Sequence, residues 1–308
     1  MTHCKMGALL TIGYCLRTTI SCFRPLRLCL IVGMADVYVN LFLAMLVNYR
    51  PLDYHITTKY YTLYEIREPD MPDKRTHRGP HPRDAKLFAP AAISDLQSAL
   101  ADFSLLRTKG YAEKSSLKLV GDRFSLTERQ RLAVMRSACS DQQLASRDKR
   151  EVKITDLTDQ PIAIDGYNVL ITVEAAMSGG VIFKGRDGCF RDLASIHGTY
   201  RKVTETIPAV QLIGDFLKEI SAGDCLWLLD SPVSNSGRLK TLIGELARKN
   251  NWNWEIQLLP SPDTELIKTA AVVASSDSVV LDRCERWVNL ATEIVKRKLP
   301  AAKVLDLS

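Results

Sequence analysis

The chain has 308 residues, of which 46% are hydrophobic and 25% are charged, and its formal net charge is +6. This length predicts about two domains with cores of their own, and the composition excludes collagen-like, low-complexity and wholly disordered proteins. The charge is uneven, because residues 71–150 carry 16 basic and 9 acidic side chains whereas residues 151–308 carry 18 and 21. The difference predicts a basic recognition module beside an acidic catalytic module, although solvated charged surfaces would give the same counts.

Residues 1–70 are an N-terminal extension to which the sequence assigns no function. Their longest uncharged run, Val37–Tyr49, has 13 residues, whereas a membrane-spanning helix needs about 18 or more. We therefore predict no membrane segment. The 8 cysteines of the chain include no Cys-x-x-Cys and no Cys/His cluster at zinc spacing, which favours reduced thiols in a cytoplasmic protein.

Residues 71–150 are predicted to form a small basic helical domain. A helix should begin near Pro90, because proline is favoured in the first turn, and apolar residues then recur at steps of three and four. A second short helix is expected over about 112–120, and Thr127 with Gln130 has the form of a capping box that opens a third. Several polar positions of these helices could follow a phosphate backbone. They are Lys114, Lys118, Arg123, Arg129, Arg131 and Arg136.

The polar stretch 140–160 interrupts the periodicity and is expected to be a linker. After it, short apolar runs alternate with helical patterns, which predicts parallel βαβ units joined by right-handed crossovers. Residues 151–308 should therefore form a three-layer α/β/α domain with a mostly parallel sheet. The expected strands cover residues 162–164, 225–229, 254–259, 270–274 and 303–307, and the expected helices cover 208–220, 236–249 and 284–298.

Three of the apolar runs lead into an aspartate, at Asp165, Asp230 and Asp277. Ligands of such sheets bind beyond the carboxyl ends of the strands, so this pattern predicts three carboxylates at one edge. An aspartate after a strand is also a common helix cap or turn residue, which leaves that role open for each of them. Clustered carboxylates repel one another unless a cation neutralises them, and Mg²⁺ or Mn²⁺ prefers oxygen ligands. The pattern therefore favours metal-dependent phosphoryl chemistry.

The stretch Asp165-Gly-Tyr-Asn168 resembles the opening of the NYN branch of PIN-like nucleases. The resemblance implies that Asp165 binds a metal ion and that Asn168 positions a ligand or a water molecule. It also implies that Asp230 and Asp277 are the middle and late acidic strand ends. The implied fold is PIN-like, the implied cofactor is Mg²⁺ or Mn²⁺, and the implied substrate is nucleic acid, with RNA preferred.

Three further acidic residues have an open role under this resemblance. Asp263 and Asp282 either complete the acidic ring or cap the helix that follows each of them. Glu174 lies nine residues after Asp165, and that spacing does not decide whether it faces the site.

Residues 71–308 as a whole resemble a two-part prokaryotic family, domain of unknown function 434 followed by domain of unknown function 5616. Four stretches carry this resemblance: Arg78–Asp84, Gly110–Lys114, Asp192–Lys202 and Pro232–Arg238. The family has no established activity. It therefore implies an architecture and not a chemistry.

Cations that follow the first strand are candidates for gripping substrate. An insertion, Ser178–Phe190, is expected to form a hairpin near the site, a helix is expected after it, and a later loop leads into another helix. The candidate substrate-binding residues in and after these segments are Arg186, Arg191, Arg201, Lys202, Arg238 and Lys240. Solvated charge and ordinary helix capping are the alternatives.

The sequence thus predicts a metal-dependent nuclease that hydrolyses phosphodiester bonds, preferentially of RNA. The alternative is a catalytically inactive nucleic-acid-binding or scaffold protein with a PIN-like fold. The pattern does not decide between the two, and it does not give the oligomeric state.

Overall fold

A computed structural model describes residues 76–194 and 198–308. These residues belong to one compact unit. The N-terminal extension predicted over residues 1–70 lies outside the described residues. None of the helices that the structure describes combines the length and the apolar sequence of a membrane span.

Five α-helices precede the first strand within the described residues. They are α1 (Asp84–Leu87), α2 (Pro90–Thr108), α3 (Glu113–Arg123), α4 (Glu128–Ser137) and α5 (Asp141–Arg150). The expected start of α2 at Pro90 is confirmed, as is the capping box of Thr127 with Gln130 at the start of α4. The predicted helical region therefore exists, with its helices close to the expected positions.

Helix α5 corrects the prediction of a linker over residues 140–160. It begins at a second capping box, formed by Ser140 and Gln143, and its polar sequence offers no apolar stripe for a periodicity argument. The fully buried side chain that fixes it is an arginine, Arg147. Because this arginine is satisfied by distant carboxylates, the sequence pattern alone gave no sign of a packed helix.

The main sheet is parallel throughout and has the strand order β5-β4-β1-β6-β7. Its strands are β1 (Ile162–Asp165), β4 (Cys225–Asp230), β5 (Trp254–Leu259), β6 (Val272–Ala274) and β7 (Trp287–Val288). A second sheet has the order β3-β2-β8. Its strands are β2 (Ile182–Lys184), β3 (Phe190–Arg191) and β8 (Val304–Asp306). The antiparallel pairing of β2 with β3 confirms the expected hairpin, and β8 pairs with β2.

Helices cover both faces of the main sheet. They are α6 (Gly166–Met177), α7 (Thr206–Glu219), α8 (Ser236–Asn250), α9 (Pro262–Lys268), α10 (Ser278–Leu281) and α11 (Leu290–Lys298). In β1, Ile162 and Ile164 pack into the core with α6, α7, α8 and α11. Ala163 points to the opposite face, where it packs with α9 and α10. The alternation along one strand thus separates two cores, and the predicted three-layer α/β/α architecture is confirmed.

A third core joins the helical region to the small sheet. Phe103 of α2 and Val134 of α4 are fully buried in a cluster that also contains Phe183 of β2. The rings of Phe88 and Phe183 meet edge to face with their centroids 4.8 Å apart. The helical region is therefore anchored to the α/β region through apolar packing on the hairpin.

The glycine of the Asp165-Gly-Tyr-Asn168 stretch has a packing reason. A Cβ at Gly166 would lie 2.5 Å from Cδ2 of Leu229 and 2.8 Å from the carbonyl oxygen of Leu228. Both contacts are with β4, so only glycine lets α6 begin directly beside that strand. This close approach fixes where Asp165 lies at the edge of the sheet.

Candidate functional site

Asp165 is the last residue of β1 and lies at the carboxyl edge of the main sheet. Only 8% of its surface is exposed, and one carboxylate oxygen, Oδ2, accepts a hydrogen bond of 2.7 Å from the hydroxyl of Ser275. Burial raises the pKa of Asp165 to about 7; the Ser275 bond opposes this shift, while Asp277 and Asp263 add to it. Asp165 is therefore a shielded carboxylate with acidic neighbours.

Asp277 follows β6 and caps helix α10. Its Oδ1 accepts the backbone N–H groups of Val279, at 2.7 Å, and Val280, at 3.2 Å. The capping role that the sequence left open is therefore confirmed for this residue. Asp277 also faces the cleft that contains Asp165, so a cap does not prevent it from meeting a ligand.

Asn168 holds the loop after β6 against helix α6. Its Oδ1 accepts hydrogen bonds from the backbone N–H of Ser276, at 2.8 Å, and from the Ser276 hydroxyl, at 2.9 Å. Asn168 also lines the cleft. The structure thus uses its amide oxygen to position the loop between Ser275 and Asp277.

Asp263, in the first turn of α9, faces the same cleft as Asp165 and Asp277. Asp230 ends β4 and is not among the residues that line this cleft. The pKa of Asp230 is raised by burial and by Asp263, and that of Asp263 by burial and by Asp277. The four aspartates therefore interact electrostatically, but three of them, with Asp263 in place of Asp230, share one cleft.

Asp282 does not complete this acidic edge. Its carboxylate accepts hydrogen bonds from Arg147 and Gln143 of α5. Residues 76–194 and 198–308 contain no group of three or more His, Cys, Asp or Glu side chains that is arranged to hold a metal ion. The acidic edge is a set of neighbouring carboxylates and not a preassembled coordination shell.

The acidic cleft has a volume of about 510 Å³ and is lined from both parts of the chain. Arginine side chains that face it from the helical region and the hairpin are Arg107, Arg136, Arg147 and Arg191. Each has an acceptor: Arg107 pairs with Glu113, and Arg136 donates to the carbonyl oxygen of Asp192 at 2.6 Å. The cleft is thus lined by aspartates that follow the strands of the main sheet and by arginines of the helical region and the hairpin.

Two predicted substrate-binding arginines hold the fold together. Arg191 is 7% exposed; it pairs with Asp187 through two nitrogens and donates to the carbonyl oxygen of Ser276 at 2.8 Å. Arg186 pairs with Asp141 at the start of α5. Arg191 still contributes to the cleft wall, whereas Arg186 does not line it.

The remaining predicted cations lie elsewhere and in two groups. Arg201, Lys202 and Arg238 line a second cleft of about 380 Å³. Lys240 instead lines a groove with Trp252 and Trp254. The prediction that Arg201 and Lys202 lie on a helix is wrong, because both precede α7 in a segment without regular structure.

Glu174, which the sequence could not orient, faces away from the acidic cleft. It is completely buried, and its Oε1 accepts hydrogen bonds of 2.6 Å from the hydroxyls of Tyr200 and Thr206. Its other carboxylate oxygen pairs with Arg78. Tyr200, Thr206 and Arg78 lie 26, 32 and 96 residues from Glu174 along the chain. The spacing of Glu174 from Asp165 therefore carried no information about these partners.

Comparisons with known proteins match both parts of the chain. Residues 154–293 match a family described as a domain of unknown function (DUF5616), and residues 95–150 match one described as a protein of unknown function (DUF434). An uncharacterized protein of Methanocaldococcus jannaschii is 31% identical over 203 residues, which are 65% of this chain and 97% of that protein. The chain belongs to this DUF434–DUF5616 family. No solved structure matches it.

The acidic cleft lies between the two matched parts of this DUF434–DUF5616 protein. Arg107 and Arg136 fall within the DUF434 match, and Asp165 and Asp277 fall within the DUF5616 match. The two-part architecture expected from the sequence is confirmed. Both parts contribute residues to the lining of the cleft.

Proposed function

We propose that this protein is a metal-dependent nuclease that hydrolyses phosphodiester bonds of RNA in the cytoplasm, with a PIN-like α/β domain as its catalytic part. The observation that carries the proposal is the acidic cleft, where Asp165, Asp263 and Asp277 line one cavity together with arginines. Carboxylates and arginines in one cleft suit the charge of a phosphodiester and of its hydrolysis. The cytoplasmic location is supported by Cys139, Cys189, Cys225 and Cys284, which are all buried free thiols.

The carboxylates of the acidic cleft have the chemistry that a hard divalent cation prefers. Among the described residues, Asp165, Asp263 and Asp277 form no ion pair, and burial opposes the charge of Asp165 and Asp263. Mg²⁺ or Mn²⁺ bound by these oxygens would neutralise the repulsion, lower the pKa of a bound water molecule and stabilise charge on the phosphate. Asp230 is the adjoining carboxylate and would act through Asp263.

The protein's own groups would then position the reaction. The Ser275 hydroxyl fixes one oxygen of Asp165, and Asn168 fixes the loop that carries Asp277. Arg136 and Arg107 line the same cavity from the helical region, and in this proposal they contact a phosphate. Asp165 is only 8% exposed, which limits access of bulk water to that carboxylate.

The second candidate is a nucleic-acid-binding protein without turnover. Two observations favour it: the described residues include no group of three ligands in coordinating positions, and one oxygen of Asp277 is already bonded as a helix cap. A pure binder would keep the fold and the arginines and would not respond to a divalent cation. Metal binding therefore separates the two candidates.

The first experiment is thermal denaturation of wild type and of Asp165→Asn, with Mn²⁺ and with EDTA. We expect Mn²⁺ to raise the Tm of the wild type and to leave that of the variant unchanged, because a ligand stabilises only the state that binds it. Asp224→Asn is the matched control, since Asp224 precedes β4 at the opposite edge of the same sheet. It should respond to Mn²⁺ like the wild type.

The companion assay is cleavage of end-labelled single-stranded and structured RNA. We expect cleavage with Mn²⁺, none with EDTA, and a loss of at least about 100-fold in Asp165→Asn, since a bound metal supplies several kcal/mol of transition-state stabilisation. Asp230→Asn should lose activity to a smaller extent, because Asp230 does not line the cleft. Absence of both cleavage and a Mn²⁺ effect in the wild type would favour the binding protein.

Asp277→Ser separates the cap from the proposed metal ligand. Serine caps helices about as well as aspartate, so the stability without metal should change by less than about 0.5 kcal/mol. Cleavage should nevertheless fall, because the carboxylate is gone. If Asp277→Ser cleaves like the wild type, Asp277 is only a cap.

A further inference from the structure

The second cleft gathers three cations from two distant parts of the chain. Arg201 and Lys202 come from the segment before α7, and Arg238 comes from the first turn of α8. All three side chains are exposed, and they share a cavity of about 380 Å³. We call these three residues and their cavity the basic groove.

Backbone pairing brings the two segments of the basic groove together. The N–H of Tyr200 donates to the carbonyl oxygen of Ser234 at 3.1 Å, and the N–H of Ser234 donates to Gly198 at 2.9 Å. The side-chain amide of Asn235 donates to the carbonyl oxygen of Tyr200 at 3.0 Å. The loop after β4 and the segment before α7 are thus held side by side, so their cations face one cavity.

A buried polar network supports the groove from below. Tyr200 and Thr206 donate to the buried carboxylate of Glu174, which also pairs with Arg78. The guanidinium of Arg78 lies 5.0 Å from the centre of the Tyr200 ring and donates to the carbonyl oxygen of Arg201 at 3.1 Å. The segment that carries Arg201 and Lys202 is therefore fixed by interactions on its inner side, which leaves both side chains directed outward.

Among the described residues, no carboxylate pairs with the cations of the basic groove. Within residues 76–194 and 198–308, Arg201, Lys202 and Arg238 form no ion pair with a carboxylate, in contrast to the four arginines that line the acidic cleft. Three such cations repel one another at short range and attract a polyanion. Guanidinium groups bind phosphate oxygens through paired hydrogen bonds, which suits a phosphate backbone.

We propose that the basic groove binds the phosphate backbone of RNA at a site separate from the acidic cleft. The identity of the polymer rests on the proposed function. The groove itself rests on the cluster of cations, which have no carboxylate partner among the described residues, and on the network that fixes it. Binding should be independent of base sequence, because contacts to phosphate carry no sequence information.

The test is RNA binding by the full chain in EDTA, so that cleavage does not enter the measurement. The variant Arg201→Gln/Lys202→Gln/Arg238→Gln is compared with Lys218→Gln/Arg248→Gln/Lys249→Gln, which removes three exposed cations from the far ends of α7 and α8. Ten residues of helix separate Arg238 from Arg248, which is about 15 Å. Fluorescence anisotropy of a labelled single strand of about 20 nucleotides, at about 50 and 200 mM KCl, gives the affinity and its salt dependence.

We expect the groove variant to bind RNA at least about tenfold more weakly than the wild type at the lower salt. The slope of log K against log salt should fall by about 2, since each phosphate contact on a single strand contributes about 0.7. The RNA affinity of the control variant should stay within about twofold of that of the wild type, because salt screens the attraction of cations that lie away from the groove. Equal losses in both variants, or no loss in the groove variant, would overturn the proposal.

The two proposals fail in different ways. If the groove variant loses RNA binding while the wild type shows no cleavage with Mn²⁺, the nuclease proposal falls and the basic groove stands. If the wild type cleaves RNA and the groove variant binds and cleaves as well, the groove proposal falls alone. If the wild type binds no RNA in EDTA at the lower salt, the groove is not an RNA site.

Discussion

Two regions of the molecule use positive charge in opposite ways. The helical segment, residues 71–150, is rich in basic side chains, whereas residues 151–308 carry more acidic than basic ones. Yet most of the cations that the sequence singled out in the helical segment are paired with carboxylates: Lys118, Arg123, Arg129, Arg131 and Arg136. The cluster that has no carboxylate partner within the described part of the chain lies in the acidic half, in the basic groove.

This contrast shows that the net charge of a segment does not locate a binding surface. Arg129 pairs with Asp84, a residue that is 1% exposed, so this cation helps to anchor α1 and is not free for a phosphate. A count of charges cannot distinguish such a pair from a free cation. The distinction depends on which residues the fold brings together, and it decides where a polyanion would bind.

The largest expected effect concerns the buried pairs. Asp187 is 8% exposed and pairs with Arg147 of the helical segment and with Arg191 of the hairpin. Asp187→Asn removes the carboxylate that these two buried guanidinium groups share, which leaves Arg147 with Asp282 alone. We therefore expect a loss of about 3–5 kcal/mol in the free energy of unfolding. Urea denaturation measures it.

Asp122→Asn is the control for this variant, because Asp122 pairs with Lys118 and Arg131 on the surface. It should leave the denaturation midpoint within experimental error. An Asp187→Asn protein as stable as this control would show that the buried pairs do not hold the helical segment in place.

The same carboxylate predicts a pH dependence. Burial alone would raise the pKa of Asp187, but Arg191 and Arg147 outweigh it and lower the pKa to about 2. A depressed pKa gives stability that is complete above the unfolded value, about 3.9, and is lost as the pH falls through the folded value. Urea midpoints measured from pH 5 to pH 2 should therefore fall more steeply for the wild type than for Asp187→Asn. Parallel curves would contradict the assignment.

Much of the fold could be predicted because its elements carry periodic apolar patterns. Strands β1, β4, β5 and β6 and helices α2, α7 and α8 lie where the pattern predicted them, since each buries one apolar face or run. Helix α5 was missed because its buried contact is made by Arg147. Hydrophobic periodicity cannot detect an element that is held by ion pairs.

The candidate site could be predicted only as far as strand order allows. Parallel strands place their ends at one edge, which brought Asp165 and Asp277 to one cleft. That Asp263 lines the acidic cleft and Asp230 does not depends on the path of α9. No local sequence pattern encodes that path. The burial of Arg191 likewise depends on Asp187, a partner that spacing alone does not identify.

A smaller loss of stability is expected for a change at Glu174, which fixes the segment that carries Arg201 and Lys202. Glu174→Gln removes the charge that Arg78 pairs with and disturbs the bonds from Tyr200 and Thr206, so we expect a loss of about 2–3 kcal/mol in stability. Hydrogen exchange should also become faster at residues 198–206, because the inner side of that segment is released. Glu219→Gln, which breaks a surface pair with Lys298, should change neither quantity; equal exchange rates in all three proteins would argue against the supporting role.

The smallest effect is expected from three cations of the helical segment. Lys114→Gln/Lys118→Gln/Arg123→Gln removes as much charge as the groove variant, from the segment that the sequence favoured for nucleic-acid binding. Lys118 and Arg123 already pair with Asp122 and Asp102. Neither is a free cation for a phosphate, so we expect little contact with RNA to be lost when they are removed. We expect the anisotropy assay to give an affinity within about twofold of the wild type, because at physiological salt a charge acts over only about 8 Å. A loss as large as that of the groove variant would show that RNA follows the helical segment, and that the count of charges located the surface better than their pairing.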